Sequence, residues 1–475
     1  MERLTRTPLL DVLRTTVAGD VLTTGRPGYD EGRTPYFRHR VGSPLAVVRP
    51  KDTDDVAAVV AAAREAGTDL AVRGGGHSVH STGDGLVLDL GALDGVRLES
   101  RTAWVGGGAT TGAVAHVLGR RGLAVGFGDT ASVGVGGLSL GGGTGFLSRL
   151  HGLTVDSVTA AEVVTADGRV RTVDSAHEPD LFWALRGGGG SFGVVTRFRY
   201  RTVPVPQVYG GTLLLPATAP TVSDLVALCL EADERLTVIA NLLPAPPAPG
   251  VPPELVGTLV VAARVAWAGT AADGAAVMRP LGSRAAVNGL RPVPYAELLE
   301  EAPDRGARPA VRTMFLDRVD EPVAETTLDQ LRRAPSWLRM VQLRVLGGAV
   351  SRVPVAATAY AHRRNHILVT VVHGDDAGAA TASRWAQEVV TELDQGVEGA
   401  YVNFLGPDEA HRVTAAYPEP TLTRLRRIKA VYDPENLFRH NVAIPPAAVR
   451  PGGLPAPPRA RSLLAGRGTD QASSR

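Results

Sequence analysis

The chain has 475 residues, enough for two or three domains, and its 50 lysines and arginines nearly balance 48 aspartates and glutamates, leaving a formal net charge of +2. This balance argues against a nucleic-acid-binding protein, which needs its basic residues gathered on one face. A single cysteine excludes an intramolecular disulfide, so nothing requires an oxidising compartment. Without a secretory signal pattern or an apolar run of about 18 residues, we expect a cytoplasmic protein with no membrane partner.

Residues 1–40 form a lead-in with one short helix, and a regular pattern begins after them. A strand over 45–48 leads to a helix whose apolar residues recur at helical spacing, and a second buried strand covers 69–73. This order predicts a β-α-β unit with parallel strands.

Three glycines, Gly74, Gly75 and Gly76, follow that second strand at once, and His77 comes directly after them. Glycine has no Cβ and adopts positive φ freely, so such a turn can aim several N–H groups at one point and let a phosphate approach the main chain. We therefore expect an anion cradle with a reactive imidazole at its rim.

A second glycine-rich stretch spans residues 126–145. Ordering so many glycines costs roughly 0.5–1 kcal/mol each relative to alanine in regular structure, so something must offset it. Close approach to a large flat ligand and its phosphates would do so. A further strand is predicted over 192–198.

From residue 207 onward the glycine clusters thin out, and long strands alternate with amphipathic helices. We predict a second domain built on an antiparallel sheet covered by helices. Its predicted strands are 255–262, 340–345, 356–361 and 367–372, and its predicted helices are 222–234, 325–333 and 380–393.

Four other kinds of site share some of these letters but fit poorly. A P-loop needs Gly-Lys-Ser/Thr, and neither lysine follows a glycine. A Rossmann dinucleotide fold needs Gly-x-Gly-x-x-Gly directly after its first strand, and His77 stands where that glycine turn would have to continue. His77 and His80 have a metal-ligand spacing, but no cysteine or acidic cluster joins them, so we expect no metal. Residues 137–141 match a serine-hydrolase elbow without a clear strand before it.

Several segments, in this order, resemble the flavin-binding domain of the vanillyl-alcohol oxidase and p-cresol methylhydroxylase superfamily. The segments that carry the resemblance are 73–78, 132–137, 141–145, 163–168, 180–187 and 192–195. Residues 401–404 and 432–438 resemble the berberine-bridge-enzyme-like branch of that superfamily. The match covers about residues 40–206 and 398–447.

The resemblance implies an α+β protein. A two-subdomain FAD-binding domain of the p-cresol methylhydroxylase type would span 41–206, and a substrate-binding domain with a helix-covered antiparallel sheet would span 207–397. Residues 398–447 would return to the FAD domain, and 448–475, rich in proline and glycine, would be a disordered tail.

The resemblance also implies FAD, with its pyrophosphate on residues 73–78 and its isoalloxazine bonded covalently to His77. A neutral imidazole is a nucleophile near pH 7, and the flavin methyl is electrophilic as its quinone methide. The implied cofactor-binding residues are Arg73, Gly74, Gly75, Gly76, His77, Ser78, Thr130, Val133, Gly136, Gly137, Gly141, Gly143, Val194, Val195 and Asn441.

Two positions depart from the pattern of the relatives. Bicovalent relatives use a cysteine where this chain has Thr130, and a hydroxyl is a far poorer nucleophile than a thiolate, so no second flavin bond is expected. The one cysteine, Cys229, lies on an apolar helix face and is a core residue. Asn441 fits the first asparagine of a terminal Asn-x-Asn-Ile motif, but Ala443 replaces the second.

The implied function is an FAD-dependent oxidoreductase, specifically an oxidase using O2, that removes two electrons from an alcohol, sugar, amine or secondary metabolite. Two alternatives stay open: a flavin-binding or sensor protein without turnover, and a dehydrogenase using another electron acceptor. The fold does not choose the small-molecule substrate.

Six residues are candidates for the substrate side of the site. Tyr401 is the candidate base, with Asn403 as an orienting amide; this role requires a depressed pKa, which a nearby arginine could provide. Packing of Tyr401 in a domain interface is the open alternative. Strand alternation makes substrate-wall candidates of four residues, although an ordinary polar sheet face would look the same: Gln342, Arg344, Tyr360 and His362.

Overall fold

A four-stranded sheet forms the first layer of the protein. The computed structural model describes residues 2–38, 41–78, 84–205, 207–301, 308–376, 378–440 and 442–448. The first elements are α1 (Glu2–Thr16), β1 (Asp20–Leu22), α2 (Tyr29–Arg33), β2 (Ala46–Arg49), α3 (Thr53–Glu65), β3 (Leu70–Arg73) and β4 (Leu86–Asp89). The strand order is β1-β2-β4-β3, and β2 and β3 both pair with β4 in parallel. The predicted parallel strands are present, with β4 between them.

Helix α3 is fixed to this sheet by its cap and its apolar face. Asp52 caps the helix by accepting a hydrogen bond from the Asp55 N–H. Val56, Val59 and Val60 are fully buried against the sheet. The Asp55 carboxylate accepts hydrogen bonds from the N–H groups of residues 18 and 19, so the lead-in is tied to the same layer.

A five-stranded antiparallel sheet forms the second layer, with strand order β5-β6-β10-β8-β9. Its strands and the elements around them are β5 (Val96–Glu99), β6 (Thr102–Gly106), α4 (Thr111–Gly119), β7 (Leu123–Ala124), α5 (Val135–Leu140), α6 (Ser148–His151), α7 (Thr154–Ser157), β8 (Val158–Val164), β9 (Val170–Val173), α8 (Pro179–Leu185), β10 (Val194–Arg201) and β11 (Val203–Pro204). The strand predicted over 192–198 begins two residues later, at Val194. Two sheets of different topology thus make two subdomains.

An eight-stranded antiparallel sheet, of order β15-β12-β14-β13-β18-β19-β17 with β16 on β12, forms the next part of the chain. Its elements are β12 (Val208–Pro216), α9 (Ala219–Glu231), β13 (Leu236–Pro244), β14 (Leu259–Trp267), α10 (Ala271–Gly282), β15 (Val287–Asn288), β16 (Arg291–Val293), β17 (Ala310–Leu316), α11 (Glu321–Arg333), β18 (Arg339–Val345), α12 (Ala349–Arg352), β19 (Ile367–His373) and α13 (Ala379–Leu393). One face packs its apolar side chains against the helices. The predicted helix-covered antiparallel sheet is confirmed, and Cys229 is buried in this core.

The strand predicted over 356–361 is wrong. A short 3-10 helix, Val355–Ala357, and an irregular segment occupy this place. The backbone there bonds to α8 and the loop after it: Trp183 Nε1 donates to the Ala356 carbonyl, and the Ala359 N–H donates to the Arg186 carbonyl. These distant partners replace a neighbouring strand.

The end of the described chain packs into the core of the second layer. It contains the 3-10 helices Val402–Phe404 and Pro407–Arg412, then α14 (Val413–Ala416) and α15 (Thr421–Tyr432). Leu425 and Ile444 share a core with α8 and β10. Lys429, fully buried, donates to the Asp433 carboxylate and to two backbone carbonyls, which fixes the turn after α15. None of the described helices is long and apolar enough to span a membrane.

A row of polar side chains crosses the other face of the eight-stranded sheet. Four residues lie at one level on adjacent strands, in the order Thr313, Thr370, Gln342 and Asn241. Gln342 donates to Asn241 over 2.7 Å. The hydroxyls of Thr313 and Thr370 are buried, and no hydrogen-bond partner for them lies among the described residues.

Replacing Thr313 by valine should therefore raise the stability of the protein. A buried hydroxyl without a partner carries a desolvation penalty of about 1–3 kcal/mol, and valine keeps the shape without that group. Thermal unfolding would measure the change. Thr327→Val is the matched control, since the buried Thr327 hydroxyl donates to the Val323 carbonyl over 2.8 Å and its loss should not stabilise. A lower melting temperature for Thr313→Val would mean that its hydroxyl is satisfied.

Candidate functional site

The two glycine-rich segments meet in direct backbone contact. A Cβ on Gly75 would lie 2.2 Å from the Gly134 nitrogen, and one on Gly134 would lie 2.2 Å from the Gly75 nitrogen. Gly107, just after β6, approaches as well: its carbonyl oxygen would lie 2.6 Å from a Cβ on Gly136 and 3.4 Å from one on Gly74. Only glycine permits this convergence of three chain segments.

The converging segments offer backbone donors to an anion. Among the described residues, no acceptor is found for the N–H groups of Gly75 and Gly76 on one segment or of Gly136 and Gly137 on the other. Open space surrounds the Gly137 Cα, where a Cβ would meet nothing within 4 Å. Clustered N–H groups of this kind favour phosphate oxygens. The residues present therefore fit the pyrophosphate of a dinucleotide.

His77 stands beside these donors in a form suited to nucleophilic attack. Its Nε2 lies 3.0 Å from the Ser132 hydroxyl, and its ring stacks on Tyr36 with centroids 4.4 Å apart. Burial, and then the charge of Arg73, lowers the pKa of His77 to about 4. The imidazole is thus neutral at physiological pH, and a neutral imidazole carries a lone pair on one ring nitrogen.

Arg73 lies under the first glycine turn. Its Nη1 donates to Asp89 over 3.2 Å, and its guanidinium would come within 2.7 Å of a Cβ on Gly76, whose φ is 72°. Asp89 also accepts from Arg49. Arg73 therefore supports the turn from below, and Ser78 continues the turn at the surface.

Four further cofactor-binding candidates have mainly structural surroundings. The Thr130 carbonyl accepts from the Thr111 hydroxyl over 2.6 Å, and the Val133 carbonyl accepts from the Thr111 N–H. Val194 and Val195 are buried in the cores of the first and second sheets, respectively. Asn441 lies outside the described residues, as does His80.

The glycines at 141–143 make room for protein side chains. A Cβ on Gly141 would lie 2.0 Å from the Asn403 Oδ1, and one on Gly143 would lie 2.2 Å from the Thr154 Oγ1. Gly142, at φ 133°, would meet the rings of Tyr360 at 3.0 Å and Tyr401 at 3.2 Å. Packing against these side chains thus offsets part of the entropy cost of ordering the glycines. Sequence reasoning had attributed that compensation to a flat ligand.

Tyr401 is held at this junction by two donors. Its phenol oxygen accepts from the Gly143 N–H over 2.9 Å and from the Asn403 Nδ2 over 3.1 Å. Asn403 is oriented in turn by the Leu138 carbonyl. Burial raises the pKa of Tyr401 above its usual value, although both donors and the charge of Arg344 oppose that rise. The shift is therefore opposite in direction to the depressed pKa that the role of a base at neutral pH requires.

Aromatic residues surround Tyr401. The Phe404 ring meets it edge to face at 4.8 Å, and the Tyr360 ring lies 6.2 Å away. Tyr360 reaches this place because Gly187 lacks a Cβ, which would sit 2.3 Å from the Tyr360 nitrogen. The Tyr360 hydroxyl is buried, and it has no hydrogen-bond partner among the described residues.

The remaining substrate-wall candidates separate in the structure. Gln342 and Arg344 project from the same face of β18, as alternation predicted, but Arg344 is engaged by Asp129. His362 is buried, with its Nε2 3.1 Å from the Ala416 carbonyl, and burial lowers the pKa of its imidazole. Its ring packs near Phe315 rather than in the polar row.

Sequence reasoning missed Asp129 and Arg264. Arg264 is the one charged residue of β14, an otherwise apolar strand, and its Nη1 donates to Asp129 over 3.1 Å. A lone charge inside a buried strand signals a buried partner, because an unpaired charge there is too costly. That signal was present in the sequence, but it does not name the partner.

The parts of the chain that build this site match two family models. Residues 44–174 match the model described as FAD binding domain, and residues 400–445 match berberine and berberine like. Across the described chain, no group of three or more His, Cys, Asp or Glu side chains is placed to hold a metal ion.

Relatives extend the match to nearly the whole chain. Xylooligosaccharide oxidase of Thermothelomyces thermophilus is 32% identical over 468 residues, covering 88% of this chain and 89% of that protein. (R)-6-hydroxynicotine oxidase of Paenarthrobacter nicotinovorans is 28% identical over 455 residues, covering 90% of this chain and 97% of that protein.

A solved structure agrees in fold. Glucooligosaccharide oxidase from Acremonium strictum, whose FAD is described as 6-S-cysteinyl, 8α-N1-histidyl, superposes with a TM-score of 0.80 at 24% identity, covering 93% of this chain and 100% of that chain. This chain belongs to the berberine-bridge-enzyme-like FAD-linked oxidoreductases of the vanillyl-alcohol oxidase family, and it is an enzyme with FAD as its cofactor.

Proposed function

We propose that this enzyme is an oxidase that removes two electrons from an alcohol group of a small polar substrate and passes them to O2. The observation that carries the proposal is the Tyr401 phenol, held by the Gly143 N–H and the Asn403 amide where the glycine loops meet the C-terminal segment. A cytoplasmic location is part of the proposal and is supported by the single, buried Cys229.

Each residue of the site has a distinct proposed part. Bound FAD supplies the two-electron acceptor. The unpaired N–H groups of Gly75, Gly76, Gly136 and Gly137 would hold its pyrophosphate, and the neutral His77 imidazole would form the covalent bond to the flavin. Thr130 offers no thiolate, so a second bond is not proposed.

Tyr401 is the proposed acceptor of the substrate hydroxyl proton. An alcohol can release hydride only if its proton also has a place to go. The two donors on the Tyr401 oxygen favour its anionic form, because hydrogen bonds to a charged oxygen are the stronger ones. Burial opposes them, so only a small fraction of the phenol is ionised at neutral pH.

The polar row on the eight-stranded sheet favours a hydroxyl-rich substrate. Gln342 and Asn241, which are hydrogen-bonded to each other over 2.7 Å, place carboxamides on this face. Such groups suit a carbohydrate better than an alkaloid ring. The 32% identical relative is named for oxidising xylooligosaccharides, and the 28% identical one for a hydroxynicotine.

Anaerobic flavin reduction would test the reaction and the substrate class together. We expect xylobiose to bleach the bound flavin faster than (R)-6-hydroxynicotine does, and we expect peroxide once air is admitted. Reduced flavin that persists in air would indicate a dehydrogenase with another acceptor. A wider panel of alcohols, amines and sugars that leaves the flavin oxidised would favour a flavin-binding protein without turnover.

A further inference from the structure

Asp129 joins the two halves of the protein through buried charges. It lies in the second glycine-rich stretch, and its side chain pairs with Arg264 from β14 and Arg344 from β18 at 3.1 Å each. Its pKa is lowered, because the charges of Arg344 and Arg264 outweigh the effect of burial. Two arginines thus share one buried carboxylate, while the Glu300 side chain, which pairs with Arg264, is 60% exposed.

Every nitrogen of Arg344 is occupied by the protein. Its Nε donates to the Gln342 side chain over 2.7 Å, its Nη1 points to the Thr144 carbonyl at 3.5 Å, and its Nη2 donates to both Asp129 oxygens. A guanidinium has five N–H donors, and these four contacts leave it little to offer a substrate. Its main remaining influence is the field of its charge.

That charge lies close to Tyr401. Thr144 follows Gly143, whose N–H donates to the Tyr401 oxygen. The Arg344 guanidinium also lies 5.8 Å from the centre of the Phe404 ring, which packs edge to face on Tyr401. A positive charge fixed at this place favours a negative phenol oxygen.

We propose that Arg344 is a positioning residue that favours the phenolate form of Tyr401 through its charge, and that Asp129 limits this effect by pairing with Arg344. The catalytic meaning of this coupling rests on the proposed role of Tyr401 as proton acceptor. The coupling itself does not, because it concerns the ionisation of one side chain in the resting protein.

Other titratable groups face Tyr401 and must be counted. Tyr360 and Tyr417 are buried phenols on neighbouring segments; both stay neutral, since burial raises the pKa of each. Beyond Tyr360, Arg363 donates two hydrogen bonds to Asp156, and the opposite charges of this pair compensate each other. His362 faces the Ala416 carbonyl and is kept neutral by burial. Among the described residues, Arg344, which shares the Asp129 carboxylate with Arg264, is therefore the charged group whose field acts on Tyr401 from this side.

The test is a titration of Tyr401 that needs no substrate. In holoprotein with ¹³C-labelled tyrosine, the resonance missing from Tyr401→Phe identifies Tyr401 among the nine tyrosines. Arg344→Met should raise the pH midpoint of the Tyr401 titration by about one to two units. Arg344→Lys keeps the charge and should restore the wild-type midpoint to within a few tenths of a unit. Asp129→Asn should move the midpoint downward.

A matched control separates charge from structural damage. Arg171 is equally buried and pairs with Asp167 and Glu178, away from Tyr401, so Arg171→Met should leave the titration unchanged. Arg344→Met is expected to fold because Asp129 still pairs with Arg264 in this variant. If Asp129→Asn does not fold, the midpoint of Arg344→Met alone decides the test.

Two results would overturn the coupling: a wild-type midpoint in Arg344→Met, or an unchanged or higher midpoint in folded Asp129→Asn. Failure of the proposed function looks different. If Tyr401→Phe still reduces its flavin with substrate at the wild-type rate, Tyr401 is not the base, whatever the titration shows.

Discussion

Replacing Tyr401 by phenylalanine should slow flavin reduction by the true substrate about 10²–10⁴-fold, the usual contribution of a positioned general base. Phenylalanine keeps the ring contacts to Phe404, Tyr360 and Gly142 and removes only the oxygen. The Gly143 N–H then loses its acceptor, so a stability loss of about 1–3 kcal/mol should accompany the change. Stopped-flow reduction and flavin content, measured on the same samples, separate the two effects.

The pH dependence of the wild-type rate should carry the signature of this phenol. Burial raises the pKa of Tyr401 above its ordinary value of about 10, so its ionised fraction at neutral pH is small and grows with pH. Flavin reduction should therefore accelerate about tenfold per pH unit between about pH 7 and pH 9, without a plateau. In Tyr401→Phe this slope should vanish.

Tyr417→Phe is the matched control for both measurements. Tyr417 is likewise buried with a raised pKa, but its hydroxyl donates to the Gly187 carbonyl, so its loss should leave the slope in place. A flat wild-type profile, or near wild-type reduction in Tyr401→Phe, would place the base elsewhere. It would also fit an amine substrate that arrives already deprotonated.

The features predicted correctly from the sequence are those encoded within a few residues. The strand before Gly74 ends at Arg73, as its short apolar run indicates, and the glycine turn predicted after it is present. The antiparallel sheet was likewise recognisable, because strands β18 and β19 carry their own apolar patterns.

The features that sequence reasoning missed depend on distant partners. Residues 356–361 have a strand-like composition, but their backbone bonds to Trp183 and Arg186, about 170 positions earlier in the chain. Arg344 is a substrate-wall candidate by strand alternation, but the sequence around β18 does not reveal that its guanidinium donates to Asp129, 215 positions away. The direction of the Tyr401 pKa depends on burial, which no local pattern around residues 401–404 reveals.

Replacing His77 by alanine should abolish covalent attachment of the flavin. The wild-type protein should keep its yellow colour in the pellet after acid precipitation, whereas His77→Ala should release the colour to the supernatant. His116→Ala, at an exposed histidine of α4, is the control and should behave as wild type. Flavin of the wild-type protein found wholly in the supernatant would contradict a covalent bond.

The pH at which covalent attachment of the flavin fails should report the pKa of His77 in the folded protein. The pKa of His77 is lowered to about 4 by burial and by Arg73, whereas a free histidine titrates near pH 6.5. Protonation removes the lone pair that attacks, so incorporation of FAD into apoprotein should be constant from about pH 8 down to about pH 5 and fall only near pH 4. A fall centred near pH 6.5 would mean that the imidazole is solvated when it reacts. Ser132→Ala removes the hydroxyl 3.0 Å from Nε2, so it should slow incorporation without moving that midpoint towards 6.5, because burial is the larger cause of the shift.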